Sequence, residues 1–132
     1  MSDAYAATIE KLDSISKILQ ECINDNDMNR AEEYLALLRD YGNCYYCQDH
    51  RKSLTEDKPG VCAGCPCGKL GEKLLGRTRA YNSCYLVREY RDMVRDSLWF
   101  ITDKSPVTIE ICVKSIQKLK IFMEQHKVEL GG

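Results

Sequence analysis

Ser105-Pro106-Val107-Thr108-Ile109-Glu110-Ile111-Cys112-Val113 opens the stretch from which the fold class is read. A serine followed by proline is an N-cap followed by a residue suited to the first helical position, because proline lacks the N–H that a first turn leaves unpaired. From there Ile109, Cys112, Val113, Ile116, Leu119 and Met123 recur at helical spacing, so they form one apolar face of a helix running to about His126. Upstream, the same period predicts a helix over about 84–102, capped by Asn82 or Ser83, with Val87, Tyr90, Val94, Leu98 and Ile101 as its core face.

The N-terminal third repeats the pattern. Residues 3–24 carry Ile9, Leu12, Ile15, Leu19, Cys22 and Ile23 along one face. Asn24-Asp25-Asn26-Asp27 then breaks the helix and offers caps for a second, about 28–41, with Met28, Ala31, Leu35, Leu38 and Tyr41 facing inward and Gly42 at its end. So short a link makes the pair an αα-hairpin. A shorter helix is expected over 69–75, closed by Gly76, and the terminal Leu130-Gly131-Gly132 reads as a frayed end. There are no repeats, low-complexity tracts or convincing strands. At 132 residues the chain has the size of one domain able to bury about two-thirds of the surface its unfolded form exposes. The expectation is an all-α domain, 1–132, of four principal helices: a hairpin over 3–41, an inserted structural zinc-knuckle module over 42–83, and two C-terminal helices over 84–126.

The module is inferred from cysteines. Six of the eight lie within the 41 residues from Cys44 to Cys84, and Cys44, Cys47, Cys62 and Cys65 form two C-x2-C turns separated by 14 residues. Each turn points two sulfurs at one centre, and two such turns complete a tetrahedron of thiolates. The N-terminus has no basic segment followed by an apolar run, and no apolar stretch approaches the roughly 20 residues that cross a bilayer, so a soluble cytoplasmic chain is expected. Thiols stay reduced in that compartment, which favours ligands over disulfides.

Seven groups compete for four places. Cys84 is the first reserve, since the first turn of a helix stabilises a thiolate, and Cys67 is the second; His50 follows Cys47 at ligand-like spacing. Pro66 between Cys65 and Cys67 makes ligation of one ion by both awkward. One structural Zn2+ is the expected cofactor. An iron–sulfur cluster is the alternative, because C-x2-C-P recurs in ferredoxin-type ligation, although closely spaced cysteines would follow there in place of the 14-residue gap. A closed four-sulfur shell leaves no position for a reacting water, and the H-x-E of zinc deaminases is absent, since Arg51-Lys52 follows His50. Without a nucleophile–base pair, phosphate loop or paired carboxylates, no enzyme and no small-molecule substrate are expected. Cys22 and Cys112, on apolar faces, read as small buried hydrophobes.

Formal charge is −1 but uneven: residues 1–43 carry 4 Lys/Arg against 9 Asp/Glu, and residues 44–95 carry 10 against 6. Four zinc-bound thiolates lower the middle segment further, which is far from a strongly basic nucleic-acid module. Within it Arg88, Arg91, Arg95 and Trp99 follow one another at helical spacing, opposite Val87 and Val94, with Arg77, Arg79, Tyr81 and Tyr85 upstream. Arginine and tryptophan are enriched at interface hot spots, so this stripe is the candidate partner-binding surface. The plainer reading is a solvated face on which Arg88 and Arg95 pair with Asp92.

Cys44-Tyr45-Tyr46-Cys47, then Cys62-Ala63-Gly64-Cys65-Pro66, then Cys84 and a helix, resemble small phage and prophage proteins carrying C-x2-C followed by C-x2-C-P, over residues 44 to about 95. The resemblance implies a viral protein made in a bacterial host cytoplasm, where such proteins act by binding host macromolecules, and it implies no catalytic residues. The expected function is therefore a zinc-binding helical protein that takes a protein partner, as a phage-encoded modulator or inhibitor of a host machine. A nucleic-acid-binding regulator using the Arg77 to Arg95 surface is the second reading, and an iron–sulfur or redox protein the third.

Overall fold

The structure, a computed structural model, describes residues 3–39, 44–46, 65–77 and 83–132. Among these there are helices and no strands, as the period of the sequence predicts. Helix α1 spans Ala4–Asp25, α2 Met28–Arg39, α3 Pro66–Leu75, α4 Arg88–Thr102 and α5 Pro106–Gln125, with a 3₁₀ turn at Ser83–Leu86 ahead of α4. Helix α1 packs on α2, α2 on α4, α4 on α5 and α5 on α1, so four helices close a ring around a shared core. Helix α3 packs instead on the 3₁₀ turn.

The helix ends have local causes. The Asp3 carboxylate accepts the Ala6 N–H at 3.0 Å and opens α1. Asn26 ends it in the left-handed region, φ 52°, a conformation asparagine tolerates better than most residues. The Asp27 carboxylate then accepts the Arg30 N–H at 3.1 Å, so Asp27 is the member of the polar break that caps α2. Ser105 Oγ accepts the Thr108 N–H at 3.3 Å ahead of Pro106, which opens α5 as its sequence suggests. Inward from these caps, Leu12, Ile15, Leu19 and Cys22 of α1, Ala31, Leu35 and Leu38 of α2, and all six expected residues of α5 are buried. Tyr41 and Gly42 lie outside the described residues. Across the ring, Lys120 of α5 pairs with Asp13 of α1 at 2.7 Å.

Helix α4 departs from expectation twice. It begins at Arg88 with Val87 as an extended N-cap, φ −74° and ψ 111°, and no side chain caps it. Cys84 therefore sits in the preceding 3₁₀ turn and not in the helix's first turn, so the argument from the macrodipole does not apply to it. The buried face is also rolled: Met93, Val94, Ser97 and Phe100 point inward, while Leu98 is 49 % and Ile101 52 % exposed. Val87 and Val94 are buried as expected, and the two faces differ by less than one residue step, about 70° around the helix. Phe100 is the larger apolar payload, and Ser97 enters the core at little cost because its hydroxyl donates to the Val94 carbonyl at 2.7 Å.

Two further corrections concern the ends of the module and of the chain. Helix α3 starts at Pro66, three residues earlier than predicted, and closes at Gly76, φ 64°. The C-terminus is not frayed: turns follow α5, Leu130 is 2 % exposed, and the Gly132 N–H donates to the Lys127 carbonyl at 2.8 Å. The excursion expected over 48–61 lies outside the described residues.

Phe100→Ala should cost about 3–5 kcal/mol of unfolding free energy, whereas Leu98→Ala should stay within about 0.5 kcal/mol, both read from urea titrations followed by circular dichroism. The reverse ranking would restore the helix phase suggested by the sequence.

Candidate metal centre and the exposed face of α4

Proline at position 66 shapes the first part of the site. With φ fixed and no N–H to satisfy, Pro66 starts α3, leaving Cys65 as the extended N-cap, φ −66° and ψ 121°, and Cys67 in the first turn. The Cys65 and Cys67 side chains lie within reach of each other across this proline. Cys84 arrives from the 3₁₀ turn that packs on α3, and Cys44 immediately precedes Tyr45 and Tyr46. Cys65 and Cys84 are buried, and Cys44 and Cys67 half-buried. All four line one cavity of about 70 Å³, whose walls also include Tyr46, Met93 and Leu130.

The electrostatics follow from that crowding. The hydrogen bond to Cys65, then burial, then the charges that Cys65, Cys44 and Cys84 would carry, hold the Cys67 thiol well above the ordinary thiol range. Burial, followed by Cys67, Cys65 and Cys44, likewise pushes the Tyr46 phenol up. Tyr46 is thus a neutral donor, and its hydroxyl gives a hydrogen bond of 2.9 Å to the Leu130 carbonyl. A divalent cation held by such thiols would invert this arrangement, because it would stabilise their thiolate form. The donors are all sulfur in apolar surroundings, which suits a structural zinc site. Among the described residues no three His, Cys, Asp or Glu side chains stand grouped as ligands, and no disulfide joins the described cysteines. Cys47, Cys62 and His50 of the sequence-derived set lie outside the described residues.

Cys22 and Cys112 are buried in the helical core, away from this cavity. Burial, assisted by Asp96 and opposed by Arg39, pushes the Cys112 thiol up to about 12, so it is a neutral hydrophobe at physiological pH.

On the opposite aspect of α4, Arg88, Arg91, Arg95 and Trp99 are all exposed, Trp99 by 59 %. Arg88 pairs with Asp92 at 3.8 Å, and Arg95 with Asp92 at 3.3 Å and Asp96 at 3.2 Å. The ion pairs of the plainer reading therefore exist, but exposed pairs of this kind are worth about 0–1 kcal/mol and yield readily to a partner. Arg91 Nη1 donates to the Tyr85 carbonyl at 3.4 Å, and Tyr85 stacks on Tyr90 with ring centroids 5.5 Å apart. Arg91, Arg95, Leu98 and Trp99 line one shallow groove with Tyr85 and Val94. Arg77 is exposed; Arg79 and Tyr81 lie outside the described residues. Leu98 and Ile101 are the surface residues that sequence reasoning assigned to the core. The signal that could have found them is the competition between Phe100 and Ile101 for the inward position.

Comparison with protein-family models, with curated proteins and with solved structures found no match to this chain. Among the described residues no helix is long and apolar enough to cross a membrane.

Tyr46→Phe leaves the buried Leu130 carbonyl without its donor and should lower stability by about 1–2 kcal/mol, with amide exchange rising selectively over residues 127–132. Separately, Cys22 and Cys112 should resist iodoacetamide in the folded protein and react fully in guanidinium. Modification of either at native-state rates would contradict their burial.

Proposed function

We propose that this chain is a non-enzymatic helical protein whose cysteine-bearing end is held by one structural zinc ion and which binds another protein through the exposed face of α4. The observation that supports the metal half is that Cys44, Cys65, Cys67 and Cys84 line one apolar cavity. Thiolates bound to zinc in a closed shell would tie α3 and the 3₁₀ turn to the helical ring, and zinc binding would contribute directly to the free energy of folding.

The partner half rests on what α4 leaves outside. Leu98 and Trp99 are exposed and line one groove with Arg91 and Arg95, and Ile101 is exposed on the same helix. Tryptophan and arginine beside apolar surface are the residues on which protein interfaces concentrate binding energy. Glu89, Asp92 and Asp96 interleave with the arginines, which favours a protein over a run of phosphates. The motif resemblance suits a phage-encoded modulator of a host machine. A nucleic-acid-binding regulator is the competing reading.

Elemental analysis of the purified full chain should return one zinc per chain, and chelation should lower the thermal midpoint. No zinc together with an unchanged midpoint overturns the metal reading, and visible absorption with bound iron would replace zinc by a cluster. With a partner isolated from host lysate, Arg91→Ala and Trp99→Ala should each weaken its affinity by roughly 1–3 kcal/mol without loss of helicity. A steep fall of affinity with salt would favour nucleic acid instead.

A further inference from the structure

Two adjacent rows of α4 line one groove of about 500 Å³. Arg91, Arg95 and Trp99 follow one another at four-residue intervals, Val94, Leu98 and Thr102 do the same one row across, and Tyr85 joins them from the 3₁₀ turn. Rows of this kind are the ridges with which helices interlock when they pack, so the furrow between two of them is shaped to receive a ridge of another helix. From Arg91 to Thr102 the rise is roughly 16 Å, the length of three helical turns. An apolar row at i, i+3 or i+4 and i+7 fits that length, and among the described residues there is no strand edge to take an extended segment instead.

Charge is sorted between the two sides of the helix. The groove is lined by Arg91 and Arg95 and by no carboxylate, whereas Glu89, Asp92 and Asp96 line a second depression, toward α5, with Lys114 and Lys118. Arg95 borders both sides and pairs with Asp92 and Asp96. Arg91 donates to the Tyr85 carbonyl at 3.4 Å, and among the described residues no carboxylate pairs with it. Trp99 and Leu98, both exposed, add the apolar wall. An occupant must therefore offer apolar side chains to Leu98 and Trp99 and carboxylates to the arginines. Resting on the proposal that the exposed face of α4 binds a protein, we infer that this groove takes an acidic amphipathic helix of the partner, about three turns long. Its Asp or Glu side chains meet Arg91 and Arg95, each guanidinium presenting a planar fork of donors to a carboxylate, and its apolar row covers Leu98 and Trp99. Because the arginines stand on the first half of the groove and Leu98 and Trp99 on the second, the acidic residues gather toward one end of the partner helix.

The test uses the full chain and a display library of randomised helical peptides about 14 residues long, selected on the wild-type protein. Selected peptides should carry apolar residues at i, i+3 or i+4 and i+7 with Asp or Glu beside them, and should shift the emission of Trp99, the chain's one tryptophan, to the blue. Arg91→Glu should weaken such a peptide by at least roughly tenfold, while Lys118→Glu, the same charge change outside the groove, should alter its affinity by less than about twofold. Lysines in place of the peptide's acidic residues should restore binding to Arg91→Glu, a rescue that only a folded variant can show. Selection of neutral, basic or proline-rich peptides, of none at all, or of peptides that leave Trp99 emission unchanged overturns the inference. The broader reading of α4 then stands or falls on Trp99→Ala with the isolated partner. Self-association of the chain that Trp99→Ala abolishes makes a second copy the occupant and likewise overturns the inference. A mixed-sequence duplex oligonucleotide that binds with a steep salt dependence, and no longer binds Arg91→Glu, overturns both. Selection and emission are read on the wild-type chain, so a substitution that fails to fold does not decide the question.

Discussion

Burial of Phe100 in the closed ring of four helices is the constraint from which most of the molecule's other features follow. Helix α4 touches both α2 and α5, and with Phe100 inside, Met93, Val94 and Ser97 must share the inward arc. Ser97 can occupy a fully buried position because its own helix supplies the acceptor, the Val94 carbonyl. Leu98 and Trp99 are then turned outward whatever their hydrophobicity, since successive helical residues are separated by about 100°. The apolar face beside Arg91 and Arg95 is thus a consequence of core packing and not an independent feature of the surface. The same orientation fixes where the chain entering α4 must run, and with it the position of the 3₁₀ turn that carries Cys84.

Among the described residues the cysteine-bearing end shares the core of the ring, with Tyr46, Cys65 and Leu70 buried in the same cluster. Tyr46 stands next to the thiols and donates to the Leu130 carbonyl, so the turns after α5 close over the same cavity that Cys44, Cys65, Cys67 and Cys84 line. Lys73 of α3 pairs with Glu129 at 3.6 Å, a second and solvent-screened link between the same two regions. Met93 of α4 and Met123 of α5 complete the cavity from the ring side. A metal bound there would be felt at the C-terminal turns through Tyr46 and Leu130, and at the start of α4 through Cys84. Such a coupling would make the zinc a stabiliser of the contact between ring and appendage in addition to the local turns.

Much of the helical architecture was legible in the amino-acid sequence. The α5 face from Ile109 to Met123, the Ser105-Pro106 start, the break at Asn26 and Asp27 and the closure at Gly76 were all readable, because caps, proline positions and a 3.6-residue period act locally and depend on neighbours within a turn or two. The cysteine spacing names a ligand class, since residue types set the chemistry a site could hold, and the metal itself stands as a proposal. Three things were decided only in the tertiary structure. Period alone does not fix phase when apolar residues lie on both sides of a helix, so whether Leu98 or Ser97 faced the core was decided with the burial of Phe100. Burial of Leu130 required Tyr46, 84 residues away along the chain, to present its hydroxyl. Finally, Cys84 and Cys67 line one cavity because α3 and the 3₁₀ turn pack on each other, and sequence separation carries no information about contacts made between elements.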